Sequence, residues 1–248
     1  ALKQKLEILL ANDFSAQEKI DVLHLEGLAF SHLKRSGKQP NIASKMQLLN
    51  FLRRASMTAQ VTDYQDGFLL SEWENVIDAW GVQTLQDYLN LSRVGRKSKL
   101  GSNQRKALWS VFEETRKNLE RRKLTTWSKV FRELHLANDP FAHYDHVIID
   151  EAQDVSSAEL TFLAKHYGNK TNGLFFAGDI GQRIFRAPFS WSSLGIDIRG
   201  KANILKVNYR TSQQIRAQAD LLLPKTISDG DDQSEDRSDT ISVFRGER

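Results

Sequence analysis

The sequence contains no cysteine and no long apolar run. Without cysteine the chain can form no disulfide bond, no thiolate zinc site and no cysteine nucleophile, and nothing argues for secretion. A membrane-spanning helix needs about 18 consecutive apolar residues, and no segment comes close to that length. The first residues also lack the charged, apolar and cleavage regions of a signal peptide. We therefore expect a cytoplasmic protein with no membrane partner.

The rest of the composition is that of an ordinary globular protein. With 4 prolines and 14 glycines among 248 residues, collagenous and low-complexity classes are excluded. Hydrophobic residues make up 40% and charged residues 27%, so the chain can build a core. At roughly 150 residues per domain, this length predicts one large domain or one domain with a sizeable insertion. The histidines show no spacing typical of zinc ligands.

The net charge is only +4, but the charged residues are unevenly distributed. Residues 93–132 contain thirteen lysines and arginines against three glutamates. A basic segment of this kind is either a solvated helix face or a surface for nucleic acid. Residues 226–240 contain six acids against Arg237 alone, which predicts a linker or solvated loop after a boundary near Pro224.

Residues 41–136 show the apolar spacing typical of helices. One predicted helix buries a face formed by Leu108, Val111, Phe112, Thr115 and Leu119. A capping-box pattern from Ser71 to Glu74 predicts the start of another helix, which Gly81 ends.

Residues 144–223 instead alternate short apolar runs with amphipathic helices. The apolar runs predict three strands, at Val147–Ile149, Leu174–Ala177 and Ile204–Val207. A capping box of Ser156 and Glu159 begins a helix that Gly168 ends, and a closing helix is predicted over Ser212–Leu223. Strand, helix and strand in this order predict a right-handed crossover and a parallel sheet.

Polar residues follow each predicted strand, where parallel sheets bind their ligands. These segments run from Asp150 to Asp154, from Gly178 to Gln182 and from Asn208 to Arg210. Adjacent carboxylates at a strand end suit Mg²⁺ bound to a nucleotide, because Mg²⁺ takes one or two carboxylates and keeps several waters. The neighbouring acid can orient or deprotonate a water. The alternative is that Asp150 and Glu151 form a solvated strand end without a ligand.

Together with their strands, the three polar segments resemble a known family. Val147–Asp154, Gly178–Phe185 and Asn208–Thr211 are similar, in order and spacing, to motifs II, III and IV of the UvrD/Rep-like superfamily 1 DNA helicases. The basic helical segment is similar to the helical insertion in the first RecA-like domain of these helicases. The resemblance implies an α/β fold class, with an incomplete RecA-like (P-loop NTPase) parallel sheet and a helical insertion.

The resemblance also implies how the chain is divided. Residues 1–40 and 137–223 are expected to be parts of the first RecA-like domain, and residues 41–136 the helical insertion. Residues 224–248 are expected to be an acidic linker and the start of a truncated second RecA-like domain.

Each matching residue takes a role from the resemblance, which implies ATP and Mg²⁺ as cofactors. Asp150 is expected to hold Mg²⁺, and Glu151 to be the base that activates the attacking water. Gln182 is expected to sense the γ-phosphate, Arg210 to place its guanidinium on it, and Tyr209 to stack on adenine. All should face one triphosphate pocket. From the residues alone, Gln182 could instead cap a turn, and Tyr209 could pack in the core. Arg210 could pair with Asp179 or Asp150.

One element of such an ATPase has no counterpart in the sequence, namely the glycine-rich phosphate loop that ends in Lys-Thr or Lys-Ser. Gly195–Lys201 matches the spacing, but Ala202 follows it, has no hydroxyl for Mg²⁺ and leads into a predicted strand rather than a helix. We therefore expect an internal piece of a longer helicase. Alone it should be nearly inactive, because the electrostatic contacts to the phosphates are missing.

The expected partner is single-stranded or partly duplex DNA. Ala187 replaces the base-stacking tryptophan of the family, so Phe185 or Phe189 is expected to stack on a base instead. The alternative is that Phe189 and Trp191 pack the loop onto the domain. The cations expected to contact phosphates, independently of base sequence, are Arg93, Arg96, Lys97 and Lys99.

The implied function is ATP-dependent movement along single-stranded DNA and duplex unwinding, with 3′-to-5′ polarity and a role in DNA repair. The alternative is a non-catalytic DNA-binding or regulatory module that keeps the helicase fold without the phosphate loop. A Mg²⁺-dependent nuclease using Asp150, Glu151 and Asp179 is a weaker third hypothesis, since its usual lysine partner is not evident at a strand end.

Overall fold

The computed structural model describes residues 2–12, 19–91, 99–137, 144–178, 191–198, 200–201, 203, 205–221, 226–228, 234–236 and 241–246. Within these ranges the protein combines two helix-rich cores with short two-stranded sheets. No helix in this part of the chain is both long and apolar enough to cross a membrane.

Helices form most of the first half of the described chain. In order they are α1 Leu2–Ala11, α2 Leu25–Arg35, α3 Lys45–Thr58, α4 Asp66–Glu72, α5 Leu85–Asn90, α6 Ser102–Arg121 and α7 Trp127–Leu136. A π-helical turn, Trp73–Asp78, continues α4 directly.

Short strands alternate with helices in the second half. In order the elements are β1 Val147–Ile149, a 3₁₀ turn Ala152–Asp154, α8 Ser157–Tyr167, β2 Leu174–Phe176, a 3₁₀ turn Ser192–Leu194, β3 Val207–Asn208, α9 Gln213–Asp220, β4 Thr226–Ser228, β5 Ser234–Asp236 and β6 Ile241–Ser242.

The first core is a bundle in which α3 packs on α6, with α4, the π-turn and α5 alongside. The predicted face of α6 is confirmed, because all five of its residues are buried. The chain enters and leaves this bundle at neighbouring points: the Ala43 amide donates to the Thr125 carbonyl (2.8 Å), and the Thr125 amide donates to Asn41 (2.9 Å). The bundle therefore projects from two adjacent backbone segments, and we call it the helical unit, residues 41–125.

The predicted helix start at Ser71 is wrong. Ser71 lies inside α4, which begins at Asp66 and runs on without interruption into the π-turn. Leu69 and Leu70 are buried in the same core, so burial extends the helix backward past the capping pattern. The predicted end is confirmed, because Gly81 follows the π-turn with a φ of +62°.

The second core joins α2, α7, α8 and the inner face of the β1–β2 sheet. Its central side chains include Phe131 of α7 and Phe162 of α8, whose ring centroids are 5.4 Å apart. The prediction for α8 is confirmed: Ser156 accepts from the Glu159 amide, the Glu159 carboxylate accepts in return, and Gly168 follows the last turn.

β1 has the bounds that the sequence predicts, and β2 is one residue shorter than predicted. The two strands pair in parallel, with Ile148 opposite Phe175. One sheet face packs on the core, whereas Ile148 and Phe175 on the other face are 75% and 62% exposed.

The third predicted strand, Ile204–Val207, is largely wrong. Leu205 is 90% exposed and lies outside any strand, and pairing starts only at Val207, opposite Ile241. β3 therefore pairs in parallel with β6, in a sheet separate from β1–β2 among the described residues. The closing helix is shorter than predicted, ending at Asp220.

The acidic stretch after residue 225 also differs from its prediction. β4 and β5 pair antiparallel, with Thr226 opposite Asp236, where the sequence predicts a linker or solvated loop. Pairing of this kind uses backbone groups alone, so a stretch poor in apolar residues can still form paired strands.

Candidate active site

Two carboxylates stand at the carboxyl end of β1. Asp150 and Glu151 are both exposed and follow the last strand residue directly. The Glu151 amide donates to Asp150 Oδ1 (3.0 Å), which ties the Asp150 carboxylate to the backbone just after the strand. This is the edge of a parallel sheet at which ligands usually bind.

The backbone at Glu151 adopts an unusual conformation. Its φ of 53° and ψ of 41° lie in the left-handed region, which costs a non-glycine residue about 1–2 kcal/mol. Hydrogen bonds on both sides hold it: the Asp154 amide donates to the Glu151 carbonyl (2.8 Å), and the Ala152 amide donates to Ala177 (2.9 Å). These bonds fix the backbone of the turn between β1 and the 3₁₀ turn that follows it.

The sequence prediction missed Gln153, which lies beneath these carboxylates. Gln153 is buried, and its Nε2 donates to Glu151 Oε2. Gly178, just past β2, leaves room for this amide, since a Cβ at that position would come within 2.5 Å of Gln153 Oε1. The sequence shows only a glutamine among acids after a strand, and its burial beside Gly178 becomes evident from the fold alone.

Tyr209 and Arg210 follow β3 in a tight turn. Asn208 Oδ1 accepts from the Arg210 amide (2.8 Å) and the Thr211 amide (3.2 Å), while Asn208 Nδ2 donates to Thr211 Oγ1 (2.6 Å). The turn presents both side chains outward, and Tyr209 is 74% exposed. Tyr209 therefore does not pack in a core.

The structure brings Asp150 and Glu151 together, and separately Tyr209 and Arg210. The two pairs end strands of different sheets among the described residues, β1 in one and β3 in the other. The predicted neighbourhood of these strands in one sheet is therefore not observed. The predicted residues that lie outside the described part of the chain are Gln182, Phe185, Phe189, Arg93, Arg96 and Lys97.

Asp150 offers chemistry that fits Mg²⁺. The described residues contain no cluster of three or more histidines and acids close enough to hold a metal ion by themselves. Mg²⁺ needs fewer protein ligands, because it binds through one or two carboxylates with phosphates and waters completing the octahedron. An exposed carboxylate at the sheet edge meets this requirement.

The described part of the basic segment divides into exposed and structural cations. Lys99 is exposed, and its predicted phosphate contact stays a prediction. Arg105 instead caps the end of α5, where its Nη1 donates to the carbonyls of Tyr88 (2.8 Å), Leu89 (2.9 Å) and Leu91 (3.1 Å).

Arg116 is likewise engaged in the fold. It donates to the carbonyls of Val82 (2.5 Å) and Gln83 (3.1 Å) and lies over the Trp109 ring. Burial lowers the pKa of its guanidinium below the ordinary value. The positive charge count of residues 93–132 therefore overstates the charge available to a ligand.

A surface cavity of about 770 Å³ lies beside α2, at the amino end of β1. Tyr144 lines it and donates its hydroxyl to Asp21 Oδ2 (2.6 Å). Burial and this hydrogen bond raise the pKa of Tyr144 to about 12. Because ligands of parallel sheets bind at the carboxyl ends, we assign the cavity no part in the candidate site.

The geometry defines an α/β protein with a carboxylate pair at a parallel sheet edge and a projecting helical unit. The family model for the UvrD/REP helicase N-terminal domain matches residues 2–188, well over half of the chain. The chain therefore belongs to the UvrD/REP helicase N-terminal domain family. Comparison with curated proteins finds no match.

Proposed function

We propose that the protein is the ATPase and DNA-contacting part of an ATP-dependent DNA helicase or translocase. The observation that carries the proposal is the Asp150–Glu151 pair at the carboxyl edge of the parallel β1–β2 sheet, in a chain of this helicase family. Adjacent carboxylates at this edge suit both Mg²⁺–nucleotide binding and activation of a water.

In the proposed mechanism each residue performs one task. Asp150 holds Mg²⁺, which when bound neutralises charge on the phosphates. Glu151 accepts a proton from a water as the water oxygen bonds to the γ-phosphorus. The bond from that phosphorus to the bridging oxygen breaks, and ADP and phosphate leave.

The second group of residues completes the proposed site from β3. Arg210 binds the γ-phosphate through its planar guanidinium, and Tyr209 offers an exposed ring for the adenine. Because β3 belongs to a separate sheet, the proposal requires the two sheets to approach each other around the nucleotide. Gln182 links the γ-phosphate to the DNA contacts in this scheme.

The phosphate loop that this chemistry needs is proposed to lie in another part of the full-length protein, together with elements that cover the exposed face of the β1–β2 sheet. The exposed Ile148 and Phe175 support the covering elements, because parallel sheets almost always carry such elements on both faces. We further propose that Arg93, Arg96, Lys97 and Lys99 contact the phosphates of single-stranded DNA, and that the protein moves along it with 3′-to-5′ polarity.

The test replaces Glu151 by Gln in the full-length natural protein. We expect nucleotide binding to persist and DNA-stimulated ATP hydrolysis to fall by about 100-fold or more, as loss of a general base does. A matched control is Glu133→Gln, at an exposed position of α7 to which no role in the site is assigned. Unchanged hydrolysis in the Glu151 variant would remove this residue from its role.

A non-catalytic DNA-binding module is the second candidate, favoured by the absence of a phosphate loop within the 248 residues. The two candidates make different predictions for the full-length protein. The helicase hydrolyses ATP when DNA is added, whereas the module binds DNA with an affinity that ATP does not alter.

A further inference from the structure

Glu151 needs a fixed orientation to act as a base, yet its surroundings leave it exposed. Its carboxylate stands on a long side chain at a strained turn, at the surface of the protein. An exposed side chain of this length changes rotamer at little energetic cost. A misplacement of about 1 Å at a reacting group lowers the rate by up to about 100-fold. Some contact must therefore hold the carboxylate.

Gln153 supplies such a contact from below. Its Nε2 donates to Glu151 Oε2, and the Gln153 side chain belongs to a residue that is only 6% exposed. A buried amide cannot swing into solvent, so the carboxylate bonded to it is held in one orientation. The 3₁₀ turn Ala152–Asp154 fixes the separation of the two residues through the Asp154 amide.

The end of β2 in turn fixes Gln153. A Cβ at Gly178 would lie 2.5 Å from Gln153 Oε1 and 3.1 Å from the Ala152 amide nitrogen. Ala177 binds this segment on both sides, donating to Ile149 (2.8 Å) and accepting from Ala152 (2.9 Å). The glycine backbone therefore forms one wall of the space that the Gln153 amide occupies.

We infer that Gln153 is a positioning residue that orients the Glu151 carboxylate, and that Gly178 provides the space in which Gln153 is held. The inference rests on the proposed function, because it assigns Glu151 as the base. Gln153 touches neither nucleotide nor water in this assignment and acts only through Glu151.

The test uses the full-length natural protein with Gln153→Ala, Gln153→Met and Gly178→Ala. Methionine has nearly the volume of glutamine and keeps the buried space filled, so this variant separates loss of the amide from loss of folding. We expect kcat to fall about 10- to 100-fold while KM for ATP changes by less than about threefold. Gln86→Ala, on the exposed side of α5, is the matched control.

A double-mutant cycle identifies the route of the effect. If Gln153 acts through Glu151, adding Gln153→Met to Glu151→Gln lowers the residual turnover no further. Additive losses, or an unchanged kcat in both Gln153 variants, would overturn the inference. Failure of the proposed function is distinguishable, because Glu151→Gln alone would then leave hydrolysis unchanged.

Discussion

Arg132 of α7 binds Asp78 of the π-turn through both the side chain and the backbone. Its Nη2 lies 3.3 Å from Asp78 Oδ1, and its Nη1 donates to the Asp78 carbonyl. Thr126, the cap of α7, donates to the same carboxylate (2.9 Å), and Ser157 of α8 donates to the Ala79 carbonyl (3.0 Å). The end of the π-turn thus anchors the helical unit on the α/β core.

The first prediction concerns Gly81, next to this anchor. Its φ is +62°, and a Cβ there would meet Arg132 Cδ and Nε at 2.7 Å. We expect Gly81→Ala to lower the free energy of unfolding by about 1–3 kcal/mol, through backbone strain and displacement of Arg132. Gly67→Ala is the control, because that helical position is open, and there we expect stabilisation of about 0.5–1 kcal/mol. Urea denaturation measures both, and equal effects would contradict the prediction.

The second prediction concerns the pH dependence contributed by Asp78. Burial raises the pKa of this carboxyl above 3.8, although Arg132 opposes the rise. The folded protein therefore holds this proton more tightly than the unfolded chain, so stability is lost as pH rises from about 3.8 through the folded value. As the pH rises above about 4, we expect the free energy of unfolding of the native protein to fall relative to that of Asp78→Asn. A difference in free energy of unfolding between the two proteins that stays constant with pH would disprove this.

The third prediction separates neighbouring cations of α6. Arg105 donates to three carbonyls at the end of α5, whereas Lys106 is exposed. We expect Arg105→Ala to reduce the free energy of unfolding by about 1.5–3 kcal/mol, as for hydrogen bonds to a charged group, and Lys106→Ala to change it by less than about 0.5 kcal/mol. Thermal and urea unfolding of the two variants provide the comparison.

The fourth prediction concerns Tyr144 in the cavity beside α2. Its pKa of about 12 reflects burial first and then the hydrogen bond to Asp21. Because the folded state disfavours the ionised phenol, the stability it contributes is lost as pH rises from 10 to about 12. We expect Asp21→Asn to lower the pKa of Tyr144 toward 10 without reaching it, since burial remains. Tyrosinate absorbance as a function of pH measures this pKa, and comparison with Tyr144→Phe identifies the contribution of Tyr144. An unshifted titration midpoint in Asp21→Asn would refute the role of Asp21.

The fifth prediction tests the basic segment as a DNA surface. We expect replacing Arg96, Lys97 and Lys99 by Glu to weaken single-stranded DNA binding and to reduce the salt slope by about 0.7 for each phosphate that the variant no longer neutralises. The control makes the same charge change elsewhere, at Lys34, Arg35 and Lys38. Fluorescence anisotropy across salt concentrations measures both. Identical salt slopes of DNA affinity in the two triple variants would indicate that the basic segment is an ordinary solvated surface.

Local signals account for the parts of the fold that the sequence predicts well. β1, the capped start of α8 and the buried face of α6 each depend on residues within one or two turns or a short run. The same holds for the Asp150–Glu151 pair, because a strand end carries its polar residues directly after the apolar ones. Such features need no knowledge of distant partners.

Distant partners decide the parts that the sequence predicts poorly. The extent of β3 is set by Ile241, more than thirty residues away along the chain, which pairs with Val207. Asp78 and Arg132 are separated by 54 positions, and no periodicity connects them. Gln153 shows its importance only when Gly178 is brought beside it. These contacts depend on how the chain returns on itself, which spacing within a segment does not encode.

The backbone contacts that join Asn41 and Ala43 to Thr125 bear on how such a protein can evolve. Because both crossings lie side by side, a stretch of more than eighty residues can be lengthened, exchanged or deleted while the path of the remaining polypeptide stays the same. Proteins that share this core can then differ by insertions at this one position in the fold.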